Sequence, residues 1–137
     1  MKKYERETLK ILRQLGANNS YLGFGYVVYG IQLSIQNPEL ITYISKGLYS
    51  EIALHFHTTI GCVERDIYTV IDIIWKYGDH ELLCRIFGRN LSSKPRNAAF
   101  IEAFSAICNC SNNIIFSTTP KYIYLIIQQR IPPPQIF

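Results

Sequence analysis

The chain has 137 residues, of which 48% are hydrophobic and 18% are charged. This length and composition exclude an intrinsically disordered protein and predict one compact domain with a hydrophobic core. The net charge of +4 is compatible with a polyanionic partner, but an excess of this size does not by itself indicate nucleic acid.

Apolar residues recur at helical spacing along most of the chain and predict an all-α fold. The predicted helices cover 4–15, about 21–35, 38–44, 48–57, 60–77, 81–87 and 98–107. Only two stretches, NIIFSTT and YIYLII near the C-terminus, resemble strands in their pattern.

Residues that favour helix ends stand at the boundaries of these segments. Gly16, Gly78 and Gly88 are predicted to end helices. Asn37 before Pro38 is a helix-start pattern. Polar caps are also available elsewhere: one of Asn18, Asn19 and Ser20, then Thr58 or Thr59, and then Asp79 or His80.

The short helix, tight turn and longer helix over 48–77 fit a helix-turn-helix. Ala53 would face the second helix, and the predicted buried joint consists of Ile52, Phe56, Val63 and Ile67. In this geometry the second helix, 59–77, enters the DNA major groove with its N-terminal half. The outward residues there are Thr59, Ile60, Gly61, Glu64, Arg65, Tyr68 and Thr69.

Glu64 and Arg65 carry the chemistry of base recognition. An arginine can donate two hydrogen bonds to guanine, and a glutamate can accept one from the cytosine amino group. The adjacent pair would therefore suit a C and a G close together in a DNA site. The alternative is that Glu64, Arg65 and Asp66 form an ordinary solvated face.

Neither a metal site, a cofactor, an enzyme nor a membrane protein is expected. Cys108 and Cys110 have one residue between them, which does not match zinc-site spacing, and they form no set with Cys62, Cys84 or the histidines. No catalytic constellation or phosphate-binding glycine loop stands out. The start of the chain lacks an apolar signal region and no run approaches about 20 apolar residues, so we expect a soluble, cytoplasmic protein.

The stretches KGLYSEIA, FHTT, VERDI and IIWKYG, followed by IFG, carry a resemblance to a known family. Over about 7–107 the chain resembles the C-terminal effector domain of the sporulation initiation response regulator of endospore-forming bacteria. The resemblance implies a compact six-helix domain that binds a TGTCGAA-type box as head-to-tail dimers on tandem sites and contacts the RNA polymerase sigma factor. It also places the family's base-reading Glu-Arg pair on Glu64 and Arg65.

The recognition helix departs from the family in its charges. Cys62 stands where the family usually has Arg, and Tyr68 and Thr69 stand where it has Arg and His. Asp66 adds a negative charge. Fewer cations weaken both phosphate attraction and base readout, so specificity or affinity should differ from that of a typical member.

Four cations follow in a stretch without acidic residues: Arg85, Arg89, Lys94 and Arg96. The first interpretation is a phosphate clamp beside the groove, which the resemblance supports for Lys94; the other is a solvated loop. Together these patterns predict base contacts by Glu64, Arg65, Tyr68 and Thr69, and backbone contacts by Thr59, Lys94 and Arg96.

The sequence thus predicts a DNA-binding domain over 1–107 and an extension of unknown role over 108–137, whose hydrophobicity suggests that it docks somewhere. No receiver domain fits within the chain, so we expect a regulator that is not controlled by phosphorylation of its own receiver. The alternative function is a protein-interaction module that has lost DNA affinity and modulates a full-length regulator or a sigma factor.

Overall fold

The computed structural model describes residues 3–113, with the side chains of residue 6 and of residues 8–108. This part of the chain contains seven α-helices and no strand, so the predicted all-α fold is confirmed. The helices are α1 (Lys3–Gln14), α2 (Leu22–Gln36), α3 (Glu39–Thr42), α4 (Ser50–Phe56), α5 (Ile60–Tyr77), α6 (His80–Phe87) and α7 (Asn97–Asn113). A π-helical stretch, Ser45–Tyr49, leads directly into α4.

The described residues hold seven α-helices where the resemblance implied six, and the difference is one short turn. The predicted helix over 38–44 is reduced to the single turn α3, because the backbone leaves helical geometry at Tyr43 (φ −120°, ψ 68°). At the other end, α7 continues beyond residue 107 to Asn113, so the predicted start of the extension falls inside a helix. The stretch YIYLII and nearly all of NIIFSTT lie outside the described residues.

Helix α2 lies at the centre of the domain, where it packs against α1, α5 and α7. Its closest approach is to α5, because a Cβ added at Gly23 would overlap the carbonyl oxygen of Asp66. The two backbones are therefore in direct contact. The core around them is apolar, and its largest fully buried side chains are Phe100, Phe104, Ile11, Leu12, Leu15, Ile31, Leu48, Ile52, Ile67, Ile71, Ile74 and Leu83.

Several predicted helix ends have the geometry that their residues favour. The Thr59 hydroxyl accepts a hydrogen bond from the Cys62 N–H (3.1 Å), and the Asp79 carboxylate accepts one from the Leu82 N–H (3.0 Å). Gly88 ends α6 in the left-handed region at φ 72°, which glycine adopts without steric cost. These caps fix both ends of the short helix α6 and the start of α5.

Within the described residues, no helix is long and apolar enough to cross a membrane. The same part of the chain holds no group of three or more His, Cys, Asp or Glu side chains arranged to bind a metal ion. Cys62, Cys84 and Cys108 form no disulfide bond.

Candidate nucleic-acid interface

Helices α4 and α5 are joined by a three-residue turn, His57 to Thr59, and form the predicted helix-turn-helix. His57 adopts the left-handed conformation (φ 55°, ψ 49°), and the Thr58 N–H donates to the Ala53 carbonyl at 3.0 Å. Histidine is among the few L-residues enriched at such positive φ values. The turn therefore reverses the chain sharply while it keeps its backbone hydrogen bonds.

The joint between the two helices is buried as predicted for Ile52, Ala53, Val63 and Ile67. The prediction that Phe56 belongs to it is wrong. Phe56 is 37% exposed and turns towards α2, where its ring meets Tyr26 and Tyr29 edge-on at centroid distances of 5.0 and 5.8 Å. Phe56 is the last residue of α4, and its ring contacts are with α2 and with its neighbour His55.

All the predicted outward residues of α5 are exposed and share one face. Gly61, Glu64, Arg65 and Tyr68 follow the i, i+3, i+4 and i+7 spacing of a helical stripe. Thr59 and Ile60 extend this stripe to the helix N-terminus, and Thr69 borders it. The face that would enter a DNA groove is therefore formed by the first half of α5.

Arg65 is the most accessible cation of this face, with 70% of its side chain exposed. Its contacts are long: Nε lies 3.4 Å from Asp66 Oδ1, and Nη2 lies 3.7 Å from Cys62 Sγ. An exposed pair of this geometry is worth little, because solvent screens it. The guanidinium can therefore turn towards a base without the loss of a strong interaction.

Thr69 and Cys62 have local partners on the same helix. The Thr69 hydroxyl donates to the Arg65 carbonyl at 3.0 Å, which leaves its oxygen free to act as an acceptor. Hydrogen bonds with Thr59 and then Thr58, helped by the charge of Arg65, lower the pKa of the Cys62 thiol. Cys62 thus brings a partly exposed thiol, and no permanent charge, to the start of the recognition helix.

Lys94 lies against the second half of the recognition face. Its ammonium is 3.2 Å from Asp72 Oδ1 and 3.3 Å from the centre of the Tyr68 ring, and its side chain is only 19% exposed. Asp72 also accepts from Lys76 at 3.0 Å. We call Tyr68, Asp72, Lys76 and Lys94 the lysine cluster.

The charges of the lysine cluster stabilise one another. Hydrogen bonds from Lys76 and then Lys94 lower the pKa of the Asp72 carboxyl. Loss of hydration acts to lower the pKa of Lys94, but its contacts with Tyr68 and Asp72 outweigh this and raise it. The loop before α7 is thereby held against α5 through a lysine that stays charged.

The other cations of the predicted clamp are placed differently. Arg85 binds Glu81 within α6 (3.0 Å), is mostly buried, and its Nε makes no hydrogen bond. Arg89 lies over the Phe87 ring at 5.8 Å. Arg96 is exposed and directly precedes Asn97, which contacts α5. Lys94 is thus the cation that contacts the recognition helix, and Arg96 is next in sequence to a residue that does.

Asn97 is a contact that the sequence did not single out. Its amide donates to the backbone carbonyl of Glu64 (3.0 Å) and to the Tyr49 hydroxyl (3.1 Å). Burial, with a smaller effect of the Glu64 charge, raises the pKa of Tyr49, although the hydrogen bond with Asn97 opposes this. The start of α7 is thereby joined to the reading half of α5. An asparagine at a helix start was the only available signal, and it suggests a cap before a tertiary contact.

The geometry defines a helix-turn-helix domain whose exposed second helix presents an adjacent acid and base. Proteins of this class place that helix in the DNA major groove. The chain belongs to the family described as Sporulation initiation factor Spo0A C terminal, whose model matches residues 8–107. This confirms the predicted resemblance to the sporulation regulator's effector domain. The family is one of DNA-binding transcription regulators and not of enzymes.

Proposed function

We propose that this chain is a sequence-specific transcription regulator that reads a TGTCGAA-type box with the first half of α5. The observation that carries the proposal is the adjacent, exposed pair Glu64 and Arg65, with an arginine that is held by weak contacts alone. Arg65 would donate to guanine O6 and N7, and Glu64 would accept from the neighbouring cytosine. Tyr68 and Thr69 would contact the bases that follow, with Thr69 as an acceptor.

Backbone contacts would position the helix in the groove. The exposed Arg96 is suited to a phosphate contact, as is the hydroxyl of Thr59 at the helix N-terminus. Lys94 has three donors, and its contacts with Asp72 and Tyr68 leave one for a phosphate. We further propose that the chain acts at the cytoplasmic nucleoid as a dimer on tandem boxes and contacts a sigma factor.

A fluorescence-anisotropy titration at two salt concentrations tests the central claim. Duplexes with tandem TGTCGAA-type boxes should bind more tightly than scrambled ones, and the preference should persist at higher salt, where phosphate contacts weaken. Arg65→Ala should reduce the preference for the C·G step by about 1 to 3 kcal/mol, or roughly 5- to 150-fold. Arg13→Ala, the same change at an exposed position on α1, is the control.

The second candidate is a protein-interaction module that modulates a full-length regulator or a sigma factor. It is favoured by Cys62, Tyr68 and Thr69 in place of the family's cations, and by the engagement of Lys94 with Asp72. Equal binding to boxed and scrambled duplexes, unaffected by Arg65→Ala, would contradict direct readout and favour this candidate.

A further inference from the structure

An aromatic groove lies between α1, α2 and the end of α4, apart from the exposed face of α5. It has a volume of about 850 Å³, and its lining includes Tyr21, Leu22, Tyr26, Tyr29, His55 and Phe56. Leu22, which is 77% exposed, adds an accessible apolar side chain to this lining. We call this surface the aromatic groove.

The aromatic side chains of the groove are already arranged by one another. The rings of Tyr29 and His55 stack at 4.0 Å with an angle of 15° between their planes, and Phe56 meets both of them edge-on. Gly25 has no side chain to cover Phe56, whose ring carbons would lie 3.7 Å from an added Cβ. A ligand would therefore meet preformed rings and little obstruction.

Aromatic-lined grooves bind proline-rich segments in several recognition modules. A polyproline II segment arrives with little entropy to lose, and its carbonyls make no internal hydrogen bonds. Tyrosine rings pack against prolines, and tyrosine hydroxyls can donate to those carbonyls. The chemistry of the groove therefore matches proline flanked by apolar residues.

The chain itself carries such a segment beyond its described part. Residues 122–134, YIYLIIQQRIPPP, contain three consecutive prolines after a tyrosine- and isoleucine-rich run. We infer that this segment binds in the aromatic groove of its own chain. The proposal goes beyond DNA binding and does not depend on the identity of the box.

The position of α7 allows residues 122–134 to reach the aromatic groove. Cys108 Sγ on α7 lies 3.3 Å from Thr8 Oγ1 on α1, and α1 lines the groove through the next residue, Leu9, and through Arg13. From Asn113, the last described residue of α7, the nine residues to Tyr122, where the proposed segment begins, can span up to about 30 Å. Because the segment is covalently attached through so short a stretch, its effective concentration at the groove is high, and even a weak groove contact becomes populated.

Photo-crosslinking of the full chain tests the proposal. Leu22→p-benzoylphenylalanine places the probe in the groove, and Tyr43→p-benzoylphenylalanine places it beyond α3 at a similarly exposed position, 73% against 77%. Crosslinks within the monomer should map by mass spectrometry to residues 121–134. Their yield should be roughly fivefold or more higher from position 22 than from position 43, since the tethered segment is concentrated at the groove.

A second variant tests the role of the prolines. Combining Pro132→Ala, Pro133→Ala and Pro134→Ala in the position 22 protein should lower the crosslink yield several-fold, because proline restricts the backbone towards the polyproline II region and alanine does not. Circular dichroism of both proteins verifies that the helical domain is unchanged. Equal yields from positions 22 and 43, crosslinks only between two chains, or a yield that the triple variant leaves unchanged would each overturn the proposal.

Discussion

The two halves of the exposed α5 face are held in opposite ways. In the first half, Arg65 has only long contacts to Asp66 and Cys62, and most of its side chain is in solvent. In the second half, the lysine cluster ties Asp72, together with Tyr68 at the boundary between the halves, to the loop before α7. Side chains that read bases benefit from freedom to reorient, whereas side chains that position a loop benefit from mutual restraint. The helix provides both within three turns.

The largest expected effect is on stability, and it comes from a change in α2, the helix on which both halves of the α5 face rest. Gly23→Ala would drive a methyl group into the Asp66 carbonyl, and overpacking of this kind costs about 1 to 3 kcal/mol in free energy of unfolding. Denaturant unfolding measures it. Gly61→Ala is the matched control, because nothing lies within 4 Å of the added group. That variant should be at least as stable as the parent, since alanine favours helix. A Gly23→Ala protein of parental stability would contradict the close helix contact.

Glu64→Gln tests the base contact that is proposed for the first half of α5. Glutamine keeps the shape of the side chain but removes the charge that accepts from cytosine and repels phosphate. The preference for C at that position should fall by about 1 kcal/mol or more, while binding to a scrambled duplex becomes tighter. Anisotropy titrations with both duplexes measure the two changes. The exposed Glu39→Gln on α3 serves as control, and weaker binding of Glu64→Gln to scrambled DNA would contradict the expectation.

Asn97→Ala tests whether the hydrogen bond to the backbone of α5 contributes to box preference, while the base-contacting side chains are left unchanged. The change removes hydrogen bonds to the Glu64 carbonyl and the Tyr49 hydroxyl, each worth about 0.5 to 1.5 kcal/mol. Stability should fall by about 1 to 2 kcal/mol and box preference should weaken as well. Tyr49→Phe removes only the second bond and should have the smaller effect on box preference. Equal loss of preference in both variants would assign the effect to Tyr49 alone.

The smallest effect concerns the charge of the lysine cluster. Hydrogen bonds from Lys76 and Lys94 lower the folded-state pKa of Asp72. The ionised carboxylate therefore contributes to the free energy of unfolding above the usual carboxyl pKa of 3.8. That contribution is lost as the pH falls through the lower, folded-state pKa. Unfolding measured from pH 7 downward should show less loss of stability for Asp72→Asn than for the parent protein below pH 3.8. Parallel curves would show that the pairs are fully screened.

The sequence predicted best the features that depend on nearby residues. Helix α5, the Thr59 and Asp79 caps, and the Gly88 helix end follow from periodicity and local backbone chemistry. The orientation of Phe56 did not, because the tyrosines that attract it lie on α2, some thirty residues earlier. The Asn97 and Lys94 contacts with α5 likewise span 33 and 22 residues. Such contacts require the packed fold, and no pattern along the chain encodes them.

The close packing of Gly23 against the α5 backbone limits how far the recognition helix can move relative to α2. Gly23 has no side chain of its own, and the space beside it is filled by the Asp66 carbonyl and the Val70 side chain, so little room is left to absorb a displacement. Binding constellations must be held to about 0.5 Å to work. Helix α2 thus fixes the position of α5 within the domain. A shift of α2 would therefore also move the face of α5 that is proposed to contact the bases.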